Sequence, residues 1–320
     1  MAQFEARKLL FFLRKIMVGG SNGKTTTKEV TRTILDGLGE TLATPGNWNN
    51  HIGVPLTLLS LRPHHQYAVI EMGTNHPGEM SVLCELINTE FGVITNIGKE
   101  HLEGFGSIEA IAKEESEVFA SVIKHAGHGI VNIDDAWLQS MSKRLTQQST
   151  ISLSNPQANY YAEVQHEMPE LGFSFYFNGE NMGAFTSPLS GKYNAYNLLF
   201  GAAIAHLLGM NPAEAMERAC TYKPSNNRSE WRTFGHTQVF LDAYNANPSS
   251  MEVAIRTFGK MTGKKHKMVI LGDMFELGDY AEEEHRKLGE LVSEFAFDKV
   301  CFTGKLIVSA LETAPSALYF

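Results

Sequence analysis

Apolar residues fall along this chain in two alternating textures. Ile16-Met17-Val18, Tyr67 to Ile70, Phe91 to Ile94 and Gly129 to Ile133 are short unbroken runs, as expected of strands buried on both faces. Between them the apolar positions recur every three or four residues. Val30, Ile34, Leu35 and Leu38 do so up to Gly39, and behind Gly104-Phe105-Gly106-Ser107, whose serine suits a helix cap, Ile108, Ile111, Ala112, Val118 and Phe119 are expected to form the buried side of a helix. Strand–helix alternation predicts a mostly parallel sheet covered by helices.

From about Thr150 to Leu189 the texture changes. Tyr160 to Val164 and Leu171 to Phe177, with Asn178-Gly179 as a turn, predict an antiparallel appendage on the same domain. Asn194 to Leu208 then reads as a helix stopped by Gly209. Lys223-Pro224-Ser225-Asn226-Asn227 reads as a linker, which divides the chain into residues 1–225 and 226–320. Beyond it come a strand from Val239 to Leu241 running into Asp242, a helix from Ser249, and a strand from Met268 to Leu271. A helix from Ala281 to Phe295 and a strand around Val300-Cys301-Phe302 complete the pattern. This predicts a second, mostly parallel, Rossmann-like sheet, left partial because the chain stops at Phe320 before such a sheet is usually finished.

Bulk properties narrow the class. A length of 320 residues suits two domains, and 43% hydrophobic with 19% charged residues is a globular composition. The formal charge of −8, with no Lys/Arg-rich run, argues against nucleic acid as the main partner. Cys84, Cys220 and Cys301 lie far apart, with no metal-binding spacing, and read as reduced residues of a cytoplasmic protein. Leu9 to Leu13, flanked by Arg7, Lys8, Arg14 and Lys15, is too short to span a membrane and lacks a signal peptide's layout. Residues 1–15 are therefore expected to be a remnant or linker.

Candidate chemistry begins at Gly20-Ser21-Asn22-Gly23-Lys24-Thr25-Thr26. Two glycines allow a tight loop whose N–H groups face a phosphate; Lys24 supplies a cation and Thr25 a hydroxyl for magnesium. The strand before the loop and the helix after it are the context such a loop needs. The motif is the compact G-x-x-G-K-T-T. The longer G-x-x-x-x-G-K-[ST] form requires glycine where this chain has Val18.

Other strand ends are polar. Glu71 follows the second buried strand, where a carboxylate either holds magnesium or is simply solvated. Thr44 to Pro55, rich in Asn, Gly and Pro, is a loop, either a plain surface turn or one that faces a ligand. Thr74 to Glu79 is another polar loop. His101 follows Thr95-Asn96-Ile97-Gly98 and, taken alone, reads more readily as a hydrogen-bonded surface residue than as a ligand.

The succession Gly20 to Glu29, Gly46 to Leu59, Glu71 to Glu79, Thr95-Asn-Ile-Gly and His101-Leu-Glu-Gly-Phe-Gly-Ser107 resembles the Mur ligases. Asn226-Asn-Arg-Ser229, Asp242-Ala-Tyr-Asn-Ala-Asn-Pro248 and Gly272-Asp-Met-Phe-Glu-Leu-Gly278 resemble most the branch of that family that uses D-Ala-D-Ala. The likeness runs from about Ile16 to Leu311. It implies a P-loop ATPase-type central domain and an ATP- and Mg2+-dependent ligase. ATP phosphorylates the terminal carboxylate of UDP-MurNAc-tripeptide, and the amine of D-Ala-D-Ala attacks the acyl phosphate. By this resemblance Lys24 is expected to offset the phosphate charge, Thr25 and Glu71 to hold one magnesium, and His101 to help hold a second. By the same resemblance Arg228, Asp242 and Asn245 are expected to meet the nucleotide when the domains close.

Two departures from the family follow. A magnesium-binding carbamylated lysine is usual at the position occupied here by Glu115, so Glu115 is expected either to supply that charge directly or to belong to a solvated helix face. The family also has a preceding UDP-binding domain and a longer C-terminal domain, so the chain is expected to be a fragment. A monomer without membrane insertion is expected. Competing readings are a sister amide ligase, including one adding glutamate to folate, and a nucleotide-binding module without ligase activity.

Overall fold

The computed structural model describes residues 13–263 and 266–320. The remnant or linker expected at residues 1–15 lies largely outside the described residues. Among those described, no helix is long and apolar enough to cross a membrane.

Nine strands form the main sheet: β1 (Arg14–Gly19), β2 (Thr41–Ala43), β3 (Tyr67–Glu71), β4 (Phe91–Ile94), β5 (His128–Asn132), β6 (Gln148–Ser152), β7 (Tyr160–His166), β8 (Leu171–Phe177) and β9 (Glu180–Ser187). Their order is β2-β3-β1-β4-β5-β6-β7-β8-β9. Pairing is parallel from β2 through β7 and antiparallel from β7 to β9. The antiparallel strands continue the edge of the parallel sheet through the β6–β7 pairing. β1 lies between β3 and β4, where the strand order reverses. In open α/β sheets, a crevice forms at the carboxyl ends of strands on either side of such a reversal.

Alternation along β1 explains its unbroken hydrophobicity. Ile16 and Val18 pack on one face with the helices Lys24–Leu35, Tyr193–Leu207 and Pro212–Ala219. Met17 packs on the other with residues of the helices Gly53–Leu59, Glu79–Glu85 and Ile108–Glu115. All three strand side chains are fully buried, a gain of about 1.5–3 kcal/mol each. The small residues Gly201, Ala202, Ala203 and Ala205 let the helix Tyr193–Leu207 lie close against Lys24–Leu35.

Some expectations change. A helix begins at Gly53, inside the stretch read as a loop to Pro55, and proline is tolerated there because it lies in the first turn. Leu38 lies beyond its helix and is exposed. The helix capped by Ser107, whose Oγ accepts the Ala110 N–H, divides at Ser116 into Ile108–Glu115 and Glu117–Lys124.

The C-terminal part departs more. The strand running into Asp242, β11 (Thr237–Leu241), pairs antiparallel with β10 (Glu230–Phe234) instead of joining a parallel sheet. β12 (Met268–Gly272), β13 (Lys299–Thr303) and β14 (Leu318–Tyr319) do form a small parallel sheet. The hairpin wins because Gly235 takes a positive φ, closing a tight turn between the two strands.

Candidate active site

The strand register sets the site. Val18 lies beside Glu71 across β1 and β3, and Gly19 beside Ile94 across β1 and β4. The glycine loop thus emerges between the Glu71 carboxylate and the loop that starts at Thr95. Gly20 must be glycine: its φ is +107°, and an added Cβ would lie 2.3 Å from Thr95 Oγ1. The neighbouring loop also braces it. Asn96 accepts the Ser21 N–H at its carbonyl (2.9 Å) and the Asn22 N–H at its side chain (3.1 Å). Ser21 Oγ accepts the Gly98 N–H at 2.8 Å.

Lys24 opens the following helix, and its side chain turns back over the loop. Its Nζ donates to the carbonyls of Gly20 and Ser21 and lies 3.3 Å from Glu100 Oε2. Burial alone would lower its pKa. The carboxylates of Glu100, Glu115 and Glu71 outweigh that and hold the ammonium above its usual range. Charge stays on this side chain.

Thr25 Oγ1 donates to Glu71 Oε1 (3.0 Å), which also accepts from Asn49 Nδ2 (2.9 Å). Glu71 is buried. Its Oε2, among the described residues, has no hydrogen-bond partner, and Lys28 Nζ stands 3.5 Å away. Lys28 is itself engaged by the Thr44 and Gly46 carbonyls at 2.7 and 3.1 Å. A buried carboxylate oxygen without a donor, beside a threonine hydroxyl, suits a hard cation that prefers oxygen ligands.

Glu115 belongs neither to a solvated face nor to the cavity wall. It is 1% exposed beneath the loop, where its Oε2 accepts the Gly20 N–H at 2.6 Å. Burial pushes its carboxyl up to about 8; Lys24 opposes the shift, while Glu100 and Glu114 add to it. His101 caps the short helix Leu102–Phe105, and its Nδ1 meets the Glu276 carboxylate of the C-terminal part. Among the described residues, three His, Cys, Asp or Glu ligands converge only at Glu40, His64 and His65, so Glu71, Glu115 and His101 are not gathered into one ligand set.

A cavity of about 560 Å³ joins the two halves of the chain. Ser21, Asn22, Gly23, Lys24, Thr25, Thr26, Glu71 and His101 line one side, and Arg228, Asp242 and Asn245 the other. Gly20 is not on the wall. Asn47, Asn49, Asn50 and His51 also line it, so the Thr44 to Pro55 stretch faces the site. The Arg228 guanidinium sits 3.6 Å from the Tyr244 ring centre, and Asp242 Oδ1 accepts the Ser229 N–H at 3.1 Å. Asn247 Nδ2 donates to Asn22 Oδ1 at 2.8 Å, which ties the phosphate-loop region to the C-terminal part.

Glu100, Asn49, Lys28, Asn247 and Glu276 were not singled out from the sequence as site residues. Lys28, Asn49, Asn247 and Glu276 did lie in motifs that carry the family likeness, but with no role marked for them there. Glu100, between Gly98 and His101, carried no signal of its own, and only the fold brings these groups together.

Comparisons with known proteins agree with this geometry. Residues 18–205 match the Mur ligase middle domain, and residues 227–317 the glutamate ligase domain of Mur ligases. The chain is 36% identical over 295 residues to UDP-N-acetylmuramoyl-tripeptide–D-alanyl-D-alanine ligase of Bacillus subtilis (strain 168), covering 92% of this chain and 63% of that protein. The same-named protein of Escherichia coli (strain K12) is 34% identical over 295 residues, covering 91% and 65%. The chain thus spans less than two thirds of the length of these curated relatives. MurF from Acinetobacter baumannii superimposes with a TM-score of 0.90 at 30% identity, covering all of this chain and 70% of that one. MurF from Thermotoga maritima, solved in complex with ADP, gives 0.84 at 25% identity, covering all of this chain and 73% of that one. With the middle domain and the glutamate ligase domain both matched, in that order, this chain belongs to the Mur ligase family.

Proposed function

We propose that the chain carries the ATP-using centre of a cytoplasmic ligase that joins D-Ala-D-Ala to UDP-MurNAc-tripeptide. The observation that supports this most is the shared cavity, in which Lys24, Thr25 and Glu71 face Arg228 and Asp242 of the C-terminal part. We divide the chain near Ser225, so that the cavity lies between residues 1–225 and 226–320.

In this reading the N–H groups of the loop and the Lys24 ammonium receive the ATP phosphates. Their charge lets the tripeptide carboxylate approach the γ-phosphoryl group, which it attacks to give an acyl phosphate and ADP. The amine of D-Ala-D-Ala then attacks the acyl carbon, and phosphate leaves as the amide forms. Arg228 and Asp242 bind the nucleotide from the opposite wall and exclude water that would hydrolyse the acyl phosphate. Thr25 and Glu71 would hold magnesium, which when bound neutralises phosphate charge, and His101 would serve a second ion. Glu115 supports the loop by accepting the Gly20 N–H.

Phosphate release from Mg-ATP tests the proposal, measured with both substrates present and with each omitted. Release that requires both supports the ligase. Release with a different amino-acid acceptor would assign a sister reaction. Nucleotide binding without substrate-dependent release would mark the chain as a nucleotide-binding module.

A further inference from the structure

The motif Gly272-Asp-Met-Phe-Glu-Leu-Gly278 starts at the end of β12, yet none of it lines the main cavity. Several of its residues have structural work. Asp273 accepts the N–H groups of Lys305, Leu306 and Ile307. Met274 and Leu277 are buried in the cluster that also holds Leu102 and Phe105. Glu276 is different. It is half-exposed, and its carboxylate reaches His101 Nδ1, on the other side of the division near Ser225.

Both partners occupy the left-handed backbone region, His101 at φ 48° and Glu276 at φ 60°. Side chains rarely adopt that conformation, and glycine would hold either turn with less strain. A side chain kept at such a position points to use of the side chain itself. The surroundings over-determine both turns. The Glu276 carbonyl accepts the Glu103 N–H at 3.0 Å, and the His101 carbonyl accepts the Gly104 and Phe105 N–H groups. Tyr280 donates to the Gly106 carbonyl at 3.1 Å.

The consequence lies on the far side of the imidazole. With Nδ1–H donated to a carboxylate, the neutral ring presents Nε2 as its lone-pair nitrogen. That nitrogen lies 3.8 Å from Glu100 Oε2, which in turn is 3.3 Å from Lys24 Nζ. His101 thus stands between Glu276 of the C-terminal part and Glu100, which is paired with the phosphate-loop lysine. A contact to so exposed a carboxylate adds little to stability, so its effect is expected in the chemistry.

We infer that Glu276 is a positioning residue: it fixes the tautomer and direction of His101, and does so only while the C-terminal part is seated on the His101–Gly106 turn. This rests on the ligase reading for its catalytic consequence, but not for its geometry.

The test compares Glu276→Ala, Glu276→Gln and Tyr280→Phe with the wild type. Long-range 15N–1H spectra of 15N-histidine-labelled protein report the His101 tautomer, assigned with His101→Asn. The wild type and Glu276→Gln, whose amide oxygen still accepts a hydrogen bond, should show one Nδ1–H tautomer; Glu276→Ala should show a mixture. Turnover should fall about 10- to 100-fold in Glu276→Ala, and a few-fold at most in Glu276→Gln and Tyr280→Phe. Mg-ATP affinity and thermal midpoint should stay close to wild type in all three. An unchanged His101 tautomer in Glu276→Ala would overturn the inference. So would equal turnover losses in Glu276→Ala and Tyr280→Phe, which would make docking alone responsible. If the wild type lacks turnover, the ligase reading fails and the spectra alone still decide the role of Glu276.

Discussion

The two walls of the cavity are built on different principles. On one, the phosphate loop rises from β1, a strand with neighbours on both sides and helices on both faces, and its polar groups are held by bonds within the same sheet. On the other, Arg228, Asp242 and Asn245 sit around a two-stranded hairpin and its following loop. The neighbouring β12 is an edge strand, with Met268 51% and Ile270 64% exposed. The first wall is preorganised by its own core. The second depends on where loops such as Asp242 to Pro248 and Gly272 to Tyr280 come to rest.

Breaking the first wall should have the largest effect. Lys24→Ala removes the loop cation and leaves Glu100 and Glu115 without it; turnover in the proposed reaction should fall by about 10²- to 10³-fold or more. Paired titrations of Mg-ATP should show weakened binding. Retained turnover and affinity would move the nucleotide site away from this loop.

Stability should divide along the same line. Ile16→Ala, in the fully buried β1, should cost about 2–5 kcal/mol by urea unfolding. Ile270→Thr, on the exposed face of β12, should stay within about 0.5 kcal/mol. Similar losses at the two sites would remove the contrast between a covered and an open strand.

A finer measure concerns Glu115. Its carboxyl is raised in the folded chain, from the ordinary 4.5 to about 8, so folding takes up protons between those values. The stability this group contributes is fully present below about pH 4.5 and is lost as pH rises through about 8. In metal-free protein, Glu115→Gln should flatten that decline, because the amide still accepts the Gly20 N–H without carrying charge. Thermal midpoints measured from pH 5 to 9 would check this, and parallel curves for the two proteins would refute it.

Legibility follows the same division. β1, β3 and β4 were readable because strands covered on both faces must be apolar throughout, and the glycine loop because its backbone requirement leaves few residue choices. β2 and β6 carry too little apolar signal: three part-buried residues in one, and Gln148, Ser149 and Thr150 in the other. β11 was recognisable as a strand, but its partner was not. A short apolar run specifies burial, and it leaves direction and neighbour open.

By itself, the sequence determined the strand–loop–helix that presents Lys24 and Thr25, the carboxylate at the end of β3, and the family likeness carried by motifs in order. Those features are local: a few adjacent residues satisfy a backbone or charge requirement. Tertiary structure decided that Glu115 lies under Gly20, that Glu100 reaches Lys24, and that Glu276 reaches His101. These pairs are 95, 76 and 175 residues apart in the chain, and no local pattern records them. Only packing the helices and docking the C-terminal loops brings such groups close enough for their charges to interact.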